Sequence, residues 1–566
     1  MDNVLFAVPL SRTLETSLGV SIVSAHLKKK GIESYIYDMN FKKYSEDISL
    51  KECYKELESK MNNFKVIGIS CYDTEATAEI AGMAKSQGKR TVIGGSLATL
   101  IPQELMNYLP NIDVAVIGRG EEAMFELLSK KNPEDIAGIY YRINDKILKT
   151  KKRTHSGELE CQDWDYISES FKTKPYLGAW AYVGTECQGA CKFCSGYTLN
   201  SLSGLLHNKK NPELLLKELT RMHELGIKTV SLGMDNIASD EPYFMKVIDS
   251  LKKAPKINNL RMLIRVDDIL NYKNKILELS HAHGIELDVG YENGCQRILD
   301  LLSKNQTINQ IEDCEAFLQK NNIPHLSYWM NFGHPEMTME DMDENVKTIK
   351  RLQLNLESFQ YPHKLEIRPK SPLWYEYKKK GLKPNPLKGF EIEYEFNSEI
   401  NSLFQKTKKI VKFLELSQLL YYQYNNLNKQ ISKNNENIEL KTKTFTGKAL
   451  RESFIILYES HKNNNHELIK KQINKVLEEI NSQKTTELSE LFEGLNEIKD
   501  AETLELIANG LHNEWVYPNY FIPRQSDSYR EVSKSINKEK YPFIYKIGIL
   551  SKMFENYKEL VLKEIE

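Results

Sequence analysis

Short apolar runs alternate with helix-length stretches through residues 3–130, and this alternation sets the tightest limits on the fold. The apolar runs predict strands at Val4–Val8, Ser34–Tyr37, Val66–Ser70, Thr91–Ile93 and Val114–Ile117. Strands that alternate with helices predict an α/β fold with a parallel, doubly wound, Rossmann-like sheet. Such sheets bind ligands at the carboxyl ends of their strands. Small residues follow the last two runs, at Gly94, Gly95, Ser96, Gly118 and Gly120.

A second series of strands and helices begins near Tyr182. Its predicted strands lie at 181–184, 228–232, 260–265, 285–290, 325–332 and 358–367. About six β/α units predict a partial, TIM-like (β/α)6 barrel rather than a closed barrel of eight strands.

The 566 residues are too many for one hydrophobic core, so several domains are expected. We assign residues 1–150 to the Rossmann-like domain, 151–175 to a linker and 176–390 to the barrel. A short hairpin, Gly138–Arg142 with Ile147–Thr150, precedes the linker. Lys, Asn and Glu dominate residues 391–566, where helical periodicity predicts a mostly helical C-terminal domain.

Composition excludes several function classes. The formal net charge of -1 gives no global field that would attract nucleic acid. We find no apolar run long enough to span a bilayer. The N-terminus has no basic region followed by a long apolar stretch, so it predicts a first strand and a cytoplasmic protein.

Three of the eight cysteines fall within eight residues, as Cys187-x3-Cys191-x2-Cys194. In a reducing compartment, such clustering indicates a metal site rather than disulfides. Three thiolates can hold three irons of a [4Fe–4S] cubane and leave the fourth iron open. Structural zinc is the alternative, but it needs four ligands, and Cys161 and His207 are poorly spaced for that role.

This cysteine spacing, with Phe193 before the last cysteine, resembles the signature of radical S-adenosylmethionine (SAM) enzymes. In that family the open iron binds SAM, which is cleaved to a 5′-deoxyadenosyl radical. The sequence Thr185-Glu186-Cys187-Gln188 departs from the usual Gly-Cys-Pro opening. The departure affects the shape of the loop and not its ligands.

Later segments resemble further motifs of the same family, in the expected order. Val230–Ile237 is similar to the second-strand motif that contacts the SAM amino group, and Arg265-Val-Asp-Asp268 is similar to a third-strand motif. Gly290–Arg297 is similar to the fourth-strand motif that faces the SAM ribose. Phe332–Glu336 and Pro369–Leu373 resemble the motifs of the last two strands. The SAM-binding residues implied by this resemblance are Gly233, Met234, Asp235, Arg265, Glu292 and Asn293.

Residues 3–150 resemble the cobalamin-binding domain that precedes many radical SAM barrels. The resemblance rests on Leu18-Gly19 through Asp38, Val66–Ser70, Ile93–Thr99 and Asp113–Glu122. The implied cobalamin-binding residues are Cys71, Tyr72, Thr74, Gly94, Gly95, Ser96, Thr99, Gly118, Gly120 and Glu121. No Asp-x-His-x-x-Gly motif occurs, so a base-off, His-off cobalamin is expected, with Cys71 and Tyr72 beside its lower face.

The chain is therefore identified as resembling the cobalamin-dependent radical SAM family, methyltransferase type. That resemblance implies methylation of an unactivated carbon through methylcobalamin and a 5′-deoxyadenosyl radical. A rearrangement, cyclisation or ring contraction without methylation stays open, as does a non-catalytic iron–sulfur protein. The implied partners are a small-molecule or peptide substrate and an external electron donor of the flavodoxin or ferredoxin type, with no nucleic acid and no membrane span. The substrate's identity cannot be deduced from the sequence.

Overall fold

The computed structural model describes residues 2–10, 17–45, 50–154, 161–173, 178–184, 187, 189–203, 209–233, 235–329, 333–352, 364–407, 410, 417 and 438–482. These residues form two compact units. The first unit comprises 1–288, 300–306 and 366–394, and the second comprises 289–299, 307–365 and 395–566. The boundaries predicted at 150, 175 and 390 remain predictions.

The N-terminal sheet of the first unit has seven strands in the order β2-β1-β3-β4-β5-β6-β7. They are β1 (Val4–Val8), β2 (Ser34–Asp38), β3 (Val66–Ser70), β4 (Arg90–Gly94), β5 (Val114–Val116), β6 (Ile139–Ile143) and β7 (Lys146–Lys149). Strands β1 to β5 are parallel. Strand β2 lies on one side of β1, and β3 and the later strands lie on its other side, so the strand order has a topological switch point between β1 and β3. Ligands of doubly wound sheets bind beside such a switch point.

Both faces of this sheet are covered, because alternate residues of each strand enter different hydrophobic cores. In β1, Leu5 and Ala7 join one core, whereas Val4, Phe6 and Val8 join the other. The covering helices are α1 (Leu18–Lys29), α2 (Met39–Ser45), α3 (Leu50–Met61), α4 (Thr74–Ser86), α5 (Ser96–Leu100), α6 (Pro102–Tyr108) and α7 (Glu121–Leu128). The predicted doubly wound fold is confirmed.

The predicted hairpin is present, but it belongs to the sheet and not to a linking segment. Strand β6 pairs antiparallel with β5, and β7 pairs with β6. Its two-residue turn, Asn144–Asp145, has positive φ at both residues, as a type I′ turn requires. The connector that follows contains α8 (Trp164–Thr173).

A second parallel sheet begins in the first unit with β8 (Ala179–Tyr182), β9 (Thr229–Gly233) and β10 (Asn259–Ile264), which lie side by side. Strand β11 (Ile285–Glu292) spans the division between the units, and β12 (His325–Trp329) lies next to it in the strand order. The predicted sixth strand, 358–367, lies mostly outside the described residues. Ile367 forms an isolated antiparallel bridge with Ile392.

Helices follow these strands in the α/β pattern that the sequence predicted. They are α9 (Gly196–Ser203), α10 (Pro212–Glu224), α11 (Glu241–Lys253), α12 (Val266–Asn271), α13 (Lys273–Ala282), α14 (Gln296–Leu301), α15 (Ile308–Lys320), α16 (Met339–Arg351) and α17 (Pro372–Lys379). Side chains at the helix N-termini satisfy free amides: Asp240 accepts from Tyr243 N at the start of α11. A small antiparallel pair, β13 (Pro384–Asn385) and β14 (Glu391–Ile392), follows α17.

The described C-terminal residues are helical, as predicted. Helices α18 (Ile438–Lys462) and α19 (His466–Asn481) pack on each other. Ile469, Ile473, Val476 and Ile480 form a buried stripe on α19. Among the described residues, no helix is both long enough and apolar enough to cross a bilayer.

Candidate functional site

The three cysteines lie in the loop between β8 and α9, at the carboxyl end of a parallel strand. The loop begins where Val183 and Gly184 donate from their backbone amides to the Gly233 carbonyl at the end of β9. Cys187 and Cys191 are half-buried, and Cys194 is exposed. The loop therefore presents its thiols at the edge where ligands of β/α barrels bind.

Glycine amides point at two of the thiols. Gly189 N donates to Cys187 Sγ at 3.4 Å, and Gly196 N donates to Cys194 Sγ at 3.2 Å. A Cβ atom on Gly189 would lie 3.3 Å from Cys187 Sγ and 3.6 Å from Cys191 Sγ. Amide donors stabilise thiolate sulfur and tune the potential of iron–sulfur clusters, so these contacts suit a thiolate-bound cluster.

Burial raises the pKa of the Cys187 thiol. Cys194 is exposed as a residue, but the surrounding loop desolvates its sulfur and so raises its pKa to about 11. The glycine amides oppose this shift in both cases. Metal binding has to displace those thiol protons, because the thiolate is the ligand. Among the described residues, no three His, Cys, Asp or Glu side chains converge on a single metal ion. A cubane would instead place each thiolate on a different iron.

Arg265 places a cation beside the thiols. It follows β10, and its Nη1 lies 3.8 Å from Cys191 Sγ. Asp267 accepts from its Nε at 3.0 Å, and the Lys304 carbonyl accepts from its Nη2 at 2.8 Å. These contacts hold the guanidinium where it offsets the negative charge of a thiolate cluster. The sequence resemblance assigned Arg265 to SAM, and its proximity to Cys191 was not predicted.

Segment 369–373 anchors the cysteine loop from a distant part of the sequence. The Pro369 carbonyl accepts from Ser195 Oγ at 2.7 Å, and Leu373 N donates to the Lys192 carbonyl at 2.9 Å. Lys192 N donates to the Leu302 carbonyl at 2.9 Å. These bonds connect the backbone of segment 369–373 to the cysteine loop.

The residues after β9 approach the last cysteine. A Cβ atom on Gly196 would lie 3.2 Å from Asp235 Oδ2 and 3.2 Å from Cys194 Sγ. Asn200 Nδ2 donates to the same Asp235 oxygen at 2.9 Å. The structure thus brings Asp235, which follows Gly233, next to the thiol loop. Met234 lies outside the described residues.

Glu292 and Asn293 belong to the second unit, at the end of β11. Glu292 is buried and has φ of +66°, a conformation that non-glycine residues seldom adopt. Asn293 is fully buried, and its Oδ1 accepts from Cys295 N at 2.8 Å. Strained residues of this kind cluster at ligand sites, so the backbone geometry favours a functional role for Glu292.

The carboxyl ends of β3, β4 and β5 form an edge of the N-terminal sheet that we call the open edge. Gly95 is exposed and has φ of +108°, and a Cβ atom there would lie 3.4 Å from the Cys71 carbonyl. Thr99 Oγ1 donates to the Gly95 carbonyl and accepts from Gly118 N, both at 2.9 Å. Gly94 has no neighbour within 4 Å of an added Cβ atom, and Ser96 is exposed. A large planar ligand could approach the backbone here.

Other predicted cobalamin residues have partners inside the protein. Cys71 is 1% exposed and lies in a hydrophobic core, where burial raises its pKa to about 12. The Cys71 side chain thus lies in the core, and its position beside the lower face of cobalamin stays a prediction. Tyr72 is 37% exposed, and its hydroxyl donates to the Pro9 carbonyl. Thr74 is buried, and its hydroxyl donates to the Pro386 carbonyl at 2.7 Å.

Gly120 and Glu121 lie at the start of α7. A Cβ atom on Gly120 would lie 3.2 Å from Val23 of α1, so the glycine allows close helix packing. Glu121 is buried and pairs with Arg119 at 2.8 Å. Both residues thus have contacts inside the protein, in contrast to the open edge at Gly95, and their roles toward cobalamin stay predictions.

Sequence reasoning missed a polar pair beside the switch point. The Tyr166 hydroxyl, from α8, donates to the buried Asp38 carboxylate at the end of β2. Burial raises the pKa of both groups. Asp38 is the last residue of β2, so the strand-end rule could have identified it. Tyr166 could not be found in this way, because it comes from the connector.

Two family models match the chain. The B12 binding domain matches residues 11–128, and the Radical SAM superfamily matches residues 182–349. The first match covers the N-terminal sheet, and the second covers the cysteine loop and most of the second sheet.

Curated relatives are distant. An anaerobic magnesium-protoporphyrin IX monomethyl ester cyclase of Cereibacter sphaeroides is 22% identical over 319 residues, or 54% of this chain and 51% of that protein. The corresponding cyclase of Rubrivivax gelatinosus is 25% identical over 349 residues, or 58% of this chain and 60% of its own. The chain thus spans half to three fifths of the length of these relatives.

Solved structures share the fold. The cobalamin-dependent SAM radical enzyme OxsB with aqua-cobalamin bound superposes with a TM-score of 0.64 at 14% identity, covering 85% of this chain and 80% of that one. The radical SAM methyltransferase TsrM from Kitasatospora setae, with tryptophan and a SAM analogue bound, gives a TM-score of 0.54 at 14% identity. It covers 67% of this chain and 76% of that one.

Proposed function

We propose that this chain, which belongs with the cobalamin-dependent radical SAM enzymes by its two matched domains, methylates an unactivated carbon atom. The observation that carries the proposal is the loop of three cysteines, whose thiols meet two glycine amides and Arg265. Three thiolates leave one iron of a [4Fe–4S] cluster open for SAM. When bound, the cluster and SAM supply a 5′-deoxyadenosyl radical, and cobalamin supplies the methyl group.

The chain's own residues bind and orient SAM in this proposal. Asp235, next to Cys194, accepts hydrogen bonds from the SAM amino group. Glu292 accepts from the ribose hydroxyls, and Asn293 fixes the turn that positions it. Arg265 offsets the charge of the cluster, with the Lys304 carbonyl and Asp267 holding its orientation.

A substitution at Glu292 tests this assignment. Glu292→Ala should weaken SAM binding by about 1–3 kcal/mol, because a charged acceptor is lost, while the cluster absorbance persists. Isothermal titration of the reconstituted protein with SAM measures the change. Glu340→Ala, at an exposed position of α16, is the matched control and should bind SAM as the wild type does. Equal affinities for wild type and Glu292→Ala would remove Glu292 from the site.

We assign cobalamin to the open edge at Gly94, Gly95 and Ser96, with Tyr72 nearest its lower face. Thr99 holds the Gly95 and Gly118 strand ends together and so keeps the edge in shape. The cofactor is base-off and His-off in this proposal, because the chain has no Asp-x-His-x-x-Gly motif. Electron paramagnetic resonance of the cob(II)alamin form is the test. Nitrogen superhyperfine splitting would contradict the proposal.

A second candidate is a radical cyclisation without methylation. The two curated relatives named above are cyclases, and this observation favours the alternative. The two candidates share the cysteine loop and the SAM residues. They differ in the product, which gains one CH2 only in methylation.

The deciding experiment is anaerobic reconstitution with iron, sulfide, cobalamin and SAM labelled in its methyl group. Chemical reductant, flavodoxin and ferredoxin should each be tried, since we propose an external one-electron donor. Small-molecule and peptide extracts of the host supply the substrate pool. Label in a product supports methylation. A new unlabelled product formed together with 5′-deoxyadenosine supports cyclisation, and absence of SAM cleavage would contradict both.

A further inference from the structure

The first unit contains a basic cavity that neither the cysteine loop nor the SAM residues explain. Its volume is about 420 Å³, within the range of small-molecule pockets. It is bounded by helices α5 and α6, the β6–β7 hairpin, α9 and the start of α17. Five basic side chains and one acidic side chain line it: Lys149, Lys151, Lys152, Arg153, Lys370 and Glu104.

The basic segment 149–153 is fixed to the sheet. Gly138 N donates to the Lys151 carbonyl at 2.8 Å, and Thr150 N donates to the Ile139 carbonyl at 3.1 Å. Gly138 has φ of +78°, and a Cβ atom there would lie 2.9 Å from Arg153 Cβ, so only glycine lets the segment pass this closely. The backbone that carries these basic side chains is therefore fixed beside the cavity.

The cavity keeps an excess of positive charge after its ion pairs are counted. Arg153 pairs with Glu126, and Lys370 lies 3.3 Å from Glu104. Within the described part of the chain, no carboxylate pairs with Lys149, Lys151 or Lys152. The Lys152 ammonium donates to the Ser201 carbonyl at 2.8 Å. Three exposed lysines without a carboxylate partner among the described residues, placed around one concave site, favour an anionic ligand.

The remaining walls are apolar or aromatic. Leu100, Pro102 and Ile117 form one side, and the rings of Tyr140 and Tyr375 face the site from others. We propose that this cavity binds a small organic anion, with phosphate or carboxylate groups at Lys149, Lys151 and Lys152 and an apolar body against the helices. The proposal is independent of the reaction that the enzyme catalyses.

Titration of the full chain with inorganic pyrophosphate tests the charged half of the site. Wild type should bind it saturably, and binding should weaken as ionic strength rises. Lys149→Gln/Lys151→Gln should weaken binding by up to about 25-fold, since each exposed ion pair contributes up to about fivefold. Lys149→Arg/Lys151→Arg should retain binding, which separates loss of charge from misfolding.

Lys246→Gln/Lys253→Gln on α11 is the matched control, because it removes the same charge from exposed positions outside the cavity. It should bind pyrophosphate as the wild type does. The cavity borders Thr99, so the titration is repeated after loading with cobalamin. Binding that survives loading supports a separate site. Loss of binding on loading would assign the cations to the phosphodiester of cobalamin and overturn the proposal, as would equal affinities for wild type and the glutamine variant.

Discussion

Strand β1 of the N-terminal sheet and strand β10 of the second sheet differ in how their faces are covered. Every residue of β1 is buried, because cores lie on both sides of the N-terminal sheet. In β10, by contrast, Leu260, Met262 and Ile264 are buried, while Arg261 is half-buried and Leu263 is 43% exposed. A sheet covered on both faces can offer a ligand only its edge. A sheet covered on one face can also offer the other face, as the inside of a barrel does.

This difference matches the chemistry that we assign to each sheet. At the N-terminal sheet, the open positions are backbone positions at strand ends, such as Gly94 and Gly95. At the second sheet, the functional groups are side chains beside the strand ends, such as Cys191, Asp235 and Arg265. Exposed backbone at strand ends leaves room for a large preformed cofactor such as cobalamin. Side chains beside the strand ends supply the ligands and charges that an iron–sulfur cluster and SAM need.

The largest expected effect comes from the cysteine loop. Cys187→Ala, Cys191→Ala or Cys194→Ala should abolish the visible iron–sulfur absorbance and SAM cleavage together, because each removes one iron ligand. Absorbance spectra and 5′-deoxyadenosine assays after anaerobic reconstitution measure both. Cys295→Ala is the control, since its buried thiol contacts Asp341 and Glu344. A Cys295→Ala protein without a cluster would show that the ligands are misassigned.

A buried ion pair beside β8 should give the next largest effect. Lys210 and Glu218 are nearly fully buried and paired, and Gln162 Nε2 donates to Glu218 Oε1 at 3.2 Å. Glu218→Ala leaves a buried ammonium group without its partner, so we expect a loss of about 3–5 kcal/mol in unfolding free energy. Urea denaturation followed by circular dichroism measures it.

The control for that pair is Lys210→Met/Glu218→Leu, which removes both charges and fills similar volume. It should be much closer to wild type than Glu218→Ala. If the two proteins unfolded at the same urea concentration, packing rather than charge would explain the effect.

A smaller loss of stability, caused by overpacking, is expected in the interior of the N-terminal sheet. A Cβ atom on Gly68 of β3 would lie 2.6 Å from Phe6 Cδ1. Gly68→Ala should therefore lower the unfolding free energy by about 1–3 kcal/mol through overpacking. Gly94→Ala, in the neighbouring strand, meets no atom within 4 Å and should unfold at nearly the wild-type urea midpoint. Equal destabilisation of both variants would contradict the contrast between close packing at Gly68 and open space at Gly94.

The sequence could predict those features that depend on neighbouring residues along the chain. The run Val4–Val8 is continuously apolar and became a strand buried on both faces, whereas Asn259–Ile264 contains the polar residues Asn259 and Arg261 and became a strand with one covered face. The cysteine spacing likewise predicted the thiol loop. Both signals are local, so one sequence was enough to read them.

Long-range contacts could not be predicted in this way. Arg265 reaches Cys191 across 74 residues, Tyr166 reaches Asp38 across 128, and Ser195 reaches Pro369 across 174. The hairpin at 139–149 was predicted, but its pairing with β5 was not. The local sequence of a strand does not identify the strand with which it pairs. The burial of Cys71 was missed for the same reason: its neighbours come from other strands and helices.

The smallest expected effect comes from the second unit, where His325 of β12 pairs with Glu315 of α15. His325 Nε2 lies 3.1 Å from Glu315 Oε2, and His325 Nδ1 lies 2.9 Å from the Ile323 carbonyl. Both ring nitrogens face acceptors, an arrangement that favours the protonated imidazole. Burial opposes this charge, but the bonds to Glu315 and the Ile323 carbonyl dominate and raise the pKa of His325 above its ordinary 6.5. His325 lowers the pKa of Glu315 below 4.5, against burial.

The two shifts define a pH window for stability. The His325 contribution is fully present below pH 6.5 and is lost as pH rises through the raised pKa. The Glu315 contribution is fully present above pH 4.5 and is lost as pH falls through the lowered pKa. The pair should therefore stabilise the second unit most between pH 4.5 and 6.5, and His325→Gln should lose the alkaline part of this dependence. Urea midpoints of both proteins across pH 4 to 9 measure it, and parallel curves would show that His325 stays uncharged in the folded protein.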